Sequence, residues 1–210
     1  MERARVRITA GFALVAAVFL GSAPASPQSL LTSTVRVQGV WMSFPDRAVD
    51  TAVARSQTHV EFDSAAGAMV GVEIREEASR WGLEVGAESV PLAATATNTM
   101  YFGSGPTVAV EHVHFRFQPL TAALDFHLRP GRTVDLFFGP TLSLISFSGN
   151  AVDNTDAIGA VFGLDVAPGS GPWAFTASAR YLQIPLRGRI LDNRTHIDAF
   201  LVGAGLAYRF

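Results

Sequence analysis

The sequence predicts an all-β protein, an eight-stranded antiparallel transmembrane up-and-down β-barrel of a bacterial outer membrane. Three observations predict it. First, the last fifteen residues, from His196 to Phe210, alternate strictly. Phe200, Val202, Ala204, Leu206, Tyr208 and Phe210 share one face, and Leu201, Gly203, Gly205, Ala207 and Arg209 share the other, the period of two that a pleated strand imposes. Phe200 and Phe210 stand ten residues apart, which at ~3.3 Å per residue and a tilt of roughly 40° is about 25 Å, the height of an outer-membrane apolar band between its aromatic girdles. Second, seven further segments alternate in the same way. Third, the connections between them alternate between short and long, as barrel hairpins do.

The chain opens on the basic stretch Met1 to Arg7, continues through the apolar run Ile8 to Gly21, and reaches the small residues Ser22 to Ala25. This is the pattern of a cleaved signal peptide over residues 1–25, and the run is too short for the ~20 residues of a spanning helix. Residues 26–210 then form one outer-membrane β-barrel domain. Of the chain's 16 cations and 18 acids, that leader takes three arginines and one glutamate and leaves a net charge of −4. No nucleic acid is expected as a partner. The chain has no cysteine, so its fold does not depend on disulfides outside the cytoplasm. Although 49% of the residues are hydrophobic, no apolar run beyond the leader reaches helix-spanning length, so a membrane crossing has to be made by a barrel.

The first segment, about Ser33 to Phe44, sets Val35, Val37 and Trp41 against Arg36 and Gln38. The second, Gly67 to Glu76, sets Ala68, Val70, Val72 and Ile74 against Gly71, Glu73 and Arg75. In the third, Trp81 to Val90, the apolar face opposes Glu84 and Glu88. The fourth, Pro119 to Arg129, opposes Leu120, Leu124, Phe126 and Leu128 to Thr121, Asp125, His127 and Arg129. In the fifth, Thr133 to Phe147, and the sixth, Ala157 to Ala167, the polar faces carry Asp135 and Asp165; in the seventh, Trp173 to Leu186, Arg180. Short turns fall at 78–80, 130–132 and 168–172, and long connections follow the first, third, fifth and seventh segments. With long loops outside, both termini fall in the periplasm. Ahead of the fourth segment, Val113, Phe115 and Phe117 are apolar on odd positions while the apolar set is even from Leu120 on. A bulge at Pro119 accounts for that flip, with residues 108–118 as an outer extension of the strand.

An eight-stranded barrel is just wide enough for side chains to fill it. The inward faces supply a lumen charge network of Arg36, Glu73, Arg75, Glu84, Glu88, Asp125, His127, Arg129, Asp135, Asp165, Arg180 and Arg209, in an interior where unpaired charge is costly. It is either a polar conduit or a static plug. Toward the outer end the same faces turn apolar, at Val40, Met42, Phe44, Val90, Ile145, Phe147, Leu182 and Ile184. These residues line a pocket for a small hydrophobic molecule, or they pack against the long loops. His112 and His114 share one face, a spacing usable for a metal, but no third ligand is evident and a solvated loop face explains them better. No serine stands in register with a histidine and an acid, and no phosphate-binding glycine loop is present. No enzyme activity, catalytic residue, metal or cofactor is expected.

With strands and turns placed, the chain resembles the OmpW family of outer-membrane proteins. Val35 to Trp41 resembles the opening strand of that family. Gln118 to His127 resembles its proline-marked fourth strand, Phe137 to Leu142 the run that follows, and Ala177 to Leu182 with Ile197 to Phe200 and Gly203 to Phe210 its last two strands. The chain departs from the family in having Pro119 alone where two prolines are usual. The resemblance implies a hydrophobic channel that passes small hydrophobic molecules laterally into the membrane. It also implies that Phe210, with Tyr208, is an insertion signal for the barrel-insertion machinery. Expected partners are outer-membrane lipid, that machinery and small hydrophobic molecules. Alternatives are a structural or surface-interaction barrel with a filled, non-conducting lumen and functional loops, a lipid-modifying enzyme, and a soluble ligand barrel of the lipocalin kind.

Overall fold

The computed structural model describes residues 31–45, 48–53, 56–77, 79–102, 105–148, 154–185 and 196–210. The leader of residues 1–25 lies outside the described residues. Ten strands follow one another: β1 (Leu31–Ser43), β2 (Ala48–Val53), β3 (Ser56–Phe62), β4 (Ala65–Glu76), β5 (Trp81–Phe102), β6 (Gly105–His127), β7 (Val134–Ser148), β8 (Thr155–Val166), β9 (Trp173–Pro185) and β10 (His196–Arg209). Eight of them close a ring in the order β1, β4, β5, β6, β7, β8, β9, β10. β10 returns to β1 with Arg209 opposite Thr34 and Phe200 opposite Ser43. A ring leaves no open edge along its shared length, the condition for sheet structure in a bilayer.

The long connection after β1 is not a loop. It forms the hairpin β2–β3, and β3 pairs with the far part of β5, from Ser56 opposite Met100 to Phe62 opposite Ala94. The connection between the third and fourth expected segments is likewise strand: β5 and β6 run on together until Phe102 faces Gly105. The bulge expected at Pro119 is absent. Trp81 opposite Phe126 and Phe102 opposite Gly105 belong to a single register, in which pairing lapses at Glu88 and Ser89 but resumes at Val90 opposite Phe117 with no residue inserted, and Phe117, Thr121, Ala123, Asp125 and His127 are all buried on the same face of β6. The apolar pattern flips because the lumen itself changes from apolar to polar along the strand, while the backbone stays in phase.

The other face carries the exposed large hydrophobics. Ile158 is 62% exposed, Phe175 60%, Leu144 59% and Val202 58%, far beyond what single scattered residues account for in a soluble protein. On β7 the outward apolar positions run from Val134 to Leu144, about 25 Å at ~3.3 Å per residue and roughly 40° tilt. At the end that holds the C-terminus, aromatic rings join across strands, Trp81 with Phe126 at 5.0 Å, Phe126 with Phe138 at 5.5 Å and Trp173 with Tyr208 at 4.8 Å, and along the last strand, Tyr208 with Phe210 at 4.8 Å. They form the aromatic belt expected where apolar band meets water.

Candidate functional site

Inward carboxylates of β4, β5 and β8 converge on one guanidinium of β1. Arg36 donates from Nη1 to Glu84 Oε2 at 2.7 Å, from Nη2 to Glu73 Oε2 at 2.6 Å, and from Nη2 to Asp165 Oδ2 at 2.8 Å. A second centre is Arg180, paired with Glu88 and, at 3.2 Å, with Glu84. His127 lies between Glu73 and Asp135, its Nε2 2.9 Å from the first and its Nδ1 2.9 Å from the second. Arg75 reaches Glu73 at 3.8 Å and Asp135 at 3.6 Å, and Arg209 reaches Asp165 at 3.9 Å. Charges so fully removed from water persist only when paired and hydrogen-bonded. Above them, Gln38 bridges Thr176 and Ser178, and Thr121 meets Ser143 at 2.8 Å.

The plug needs volume, and glycines supply it. A Cβ at Gly82 would come within 2.6 Å of Glu73 Oε1, and one at Gly71 within 3.3 Å of the Glu84 carboxyl. At Gly163 it would overlap the ring of Phe137. That ring is wholly buried, stacks on His127 at 5.5 Å and carries the Arg36 guanidinium 4.5 Å from its centre, a cation–π contact in a desolvated site.

Toward the end remote from the C-terminus, the lumen turns apolar. Met42, Phe44, Phe62, Val90, Leu92, Phe117, Ile145, Leu182, Ile184 and Ile197 form one buried apolar cluster, with Phe115 and Phe147 packed against it. Phenylalanine rings chain across it: Phe44 to Phe62 at 5.3 Å, Phe62 to Phe115 at 6.4 Å, Phe115 to Phe147 and Phe147 to Phe117 at 5.8 Å. Between them remains a crevice of about 10 Å³, room for about one water molecule at most.

A closed ring of eight strands, an apolar outer surface and a filled lumen describe a known architecture. No protein-family model matches the chain, and no curated sequence matches it. Among solved structures, Neisserial surface protein A aligns at a TM-score of 0.54 and 13% identity, over 87% of this chain and 98% of that one. The outer membrane protein AlkL, solved in lipid bilayers, aligns at 0.56 and 14% identity, over 90% of this chain and 94% of that one. The chain folds as an outer-membrane β-barrel.

In this barrel the residues expected to form the charge network come together, with two exceptions: Asp125 is buried beside the network, but neither of its carboxylate oxygens has a hydrogen-bond partner among the described residues, and Arg129 lies outside the lumen. Arg129 stands exposed in the turn after β6, and only its backbone N–H joins, donating to Asp135 Oδ1 at 3.3 Å. β6 ends at His127, so alternation no longer fixes the direction of Arg129. Val40, Met42, Phe44, Val90, Ile145, Phe147, Leu182 and Ile184 all lie in or against the apolar cluster. Sequence reasoning missed Phe62, Leu92 and Ile197, which lay outside its strands or its lining, and Phe117, which the supposed bulge turned outward. The odd-numbered run through Phe117, Thr121 and Asp125 was the signal that could have found the last. His112 and His114 sit on the extension of β6, where His112 Nδ1 meets Thr95 Oγ1 at 3.1 Å.

Proposed function

We propose that this outer-membrane barrel admits a small hydrophobic molecule to the apolar half of its lumen and keeps ions out with the charged plug below. One observation carries the reading: among the described residues the crevice beyond the plug is lined by Met42, Phe44, Phe62, Phe115, Phe117 and their neighbours without one polar side chain. Such a wall offers nothing to a polar solute and a full apolar contact surface to a hydrocarbon or an aromatic. Entry requires the rings to part. The resemblance to the OmpW family gives the same direction of traffic, with the molecule leaving sideways into lipid. In this reading the termini are periplasmic, the β2–β3 and β5–β6 hairpins face outward, and Tyr208 and Phe210 carry the insertion signal for the barrel-insertion machinery. No catalytic role is proposed.

A second reading has its own support. A crevice of about 10 Å³ and a densely packed charge network equally suit a static barrel whose hairpins meet partners outside. Reconstituted protein distinguishes the two: an apolar fluorescent probe such as N-phenylnaphthylamine should bind above lipid-only vesicles, with Phe117→Trp reducing the signal. Binding no greater than lipid alone leaves only the static barrel.

A further inference from the structure

At the C-terminal end of the barrel, the turn after β6 and Arg80 from the turn before β5 line an open cleft of about 710 Å³ that the lumen chemistry does not use. Arg80, from the turn between β4 and β5, and Arg129 and Arg132, from the turn between β6 and β7, line it together with Leu128 and Val134. The described residues lining it include no acid, and all three arginines are exposed. Their backbones are held in place. The His127 N–H donates to the Arg80 carbonyl at 2.7 Å and joins the two turns, Leu128 N–H donates to Leu136 at 2.8 Å, and Arg132 N–H to Arg129 at 3.2 Å. Gly131 supplies the φ of +73° that lets this turn close.

The cleft sits at the edge of the apolar band. Arg80 precedes Trp81, the first ring of the Trp81–Phe126–Phe138 aromatic group. Leu128 and Val134, 43% and 45% exposed, continue the lipid-facing surface into the cleft wall. Guanidinium groups just beyond an aromatic belt stand at headgroup depth, where a phosphate accepts their planar forks. A free anion has no use for the apolar wall.

We propose that Arg80, Arg129 and Arg132 form a binding site for the phosphate headgroup of an anionic phospholipid, whose acyl chain lies along Leu128 and Val134. The site rests on the barrel's membrane setting and not on the ligand reading of the far half; only the choice of leaflet depends on the orientation proposed above.

The test is native mass spectrometry of the folded protein released from nanodiscs containing phosphatidylglycerol, phosphatidylcholine or lipid A, with inorganic phosphate as a soluble arm. Phosphatidylglycerol should be retained over phosphatidylcholine, and retention should fall roughly fivefold for each arginine removed among Arg80→Gln, Arg129→Gln and Arg132→Gln. Equal retention of phosphatidylglycerol by the triple variant, preference for lipid A, or phosphate binding that displaces the lipid would each overturn the proposal. Heat-modifiable gel mobility establishes that each variant is folded. If the triple variant is not, Arg129→Gln alone decides, because Arg129 makes no side-chain contact within the plug.

Discussion

The guanidinium carbon of Arg36 rests 4.5 Å from the centre of the Phe137 ring, and that ring occupies the space a side chain at position 163 would need. The most buried cation of the lumen is thus seated on an aromatic face that β8 makes room for with a glycine. Gly163→Ala should therefore tilt the ring away from Arg36 and destabilise the barrel by about 1–3 kcal/mol, the usual cost of overpacking. Gly39, with nothing within 4 Å of its Cβ position, is the control: Gly39→Ala should stay within about 0.5 kcal/mol of the parent. Urea unfolding followed by gel mobility measures both.

Removing the cation itself should cost more. Arg36→Met leaves Glu73, Glu84 and Asp165 without their shared partner, and breaking a buried ion cluster from one side typically costs about 3–5 kcal/mol because the remaining charges stay uncompensated. Pairing it with Glu84→Gln should recover part of the loss. An unchanged unfolding midpoint for the single variant would show the network to be solvated.

Much of the fold was legible because period two is strict wherever one face meets lipid and the other a packed lumen. Arg36, Glu73 and Asp165 could be assigned inward on parity alone, and the burial of each agrees. Parity failed where its premise did. On β6 the inward face is apolar at Phe117 and polar at Asp125, so hydrophobicity ceased to mark direction and suggested a bulge that the register does not contain. Strands β2 and β3 and the far reaches of β5 and β6 lie beyond the apolar band, where neither face imposes alternation. Their pairing depends on neighbours remote in sequence, as Phe62 opposite Ala94 illustrates. Convergence of Glu73, Glu84 and Asp165 on one guanidinium was similarly hidden, since it depends on which strands face each other across the ring.

Asp125 behaves unlike the other lumen acids. It is fully buried, and neither carboxylate oxygen has a hydrogen-bond partner among the described residues. Asp165, by contrast, accepts from Arg36 twice. Asp125→Asn should leave stability unchanged or raise it by about 1 kcal/mol, because an unpaired buried charge is replaced by a neutral group of the same shape. Asp165→Asn should lower it by about 1.5–3 kcal/mol, the range for a hydrogen bond to a charged group. The opposite ordering in unfolding experiments would mean that Asp125 has a partner.

A plug this dense should also block current. Protein in planar bilayers should show no stable conductance step, whereas Arg36→Ala combined with Arg180→Ala removes the two groups that hold Glu73, Glu84, Glu88 and Asp165 together and should produce cation-selective openings. Steps of equal size in parent and variant would refute the plug as the barrier.

The apolar half gives the sharpest test of a ligand role. Phe117 is wholly buried and joins Phe147 in the ring chain that fills the crevice. Truncation to alanine should cost about 3–5 kcal/mol in stability, since a cavity the size of the lost ring remains. An apolar cavity of that kind stays dry and takes up an apolar molecule, so Phe117→Ala should bind N-phenylnaphthylamine more tightly than the parent, and saturating probe should restore part of the lost stability. Leu120, three residues further along β6 on its outer face and 47% exposed, separates this from general loosening. Leu120→Ala removes a comparable side chain without opening the lumen and should leave probe binding unchanged. If the two variants respond alike, the probe is reading the outer surface of the barrel, and the apolar half is packing alone.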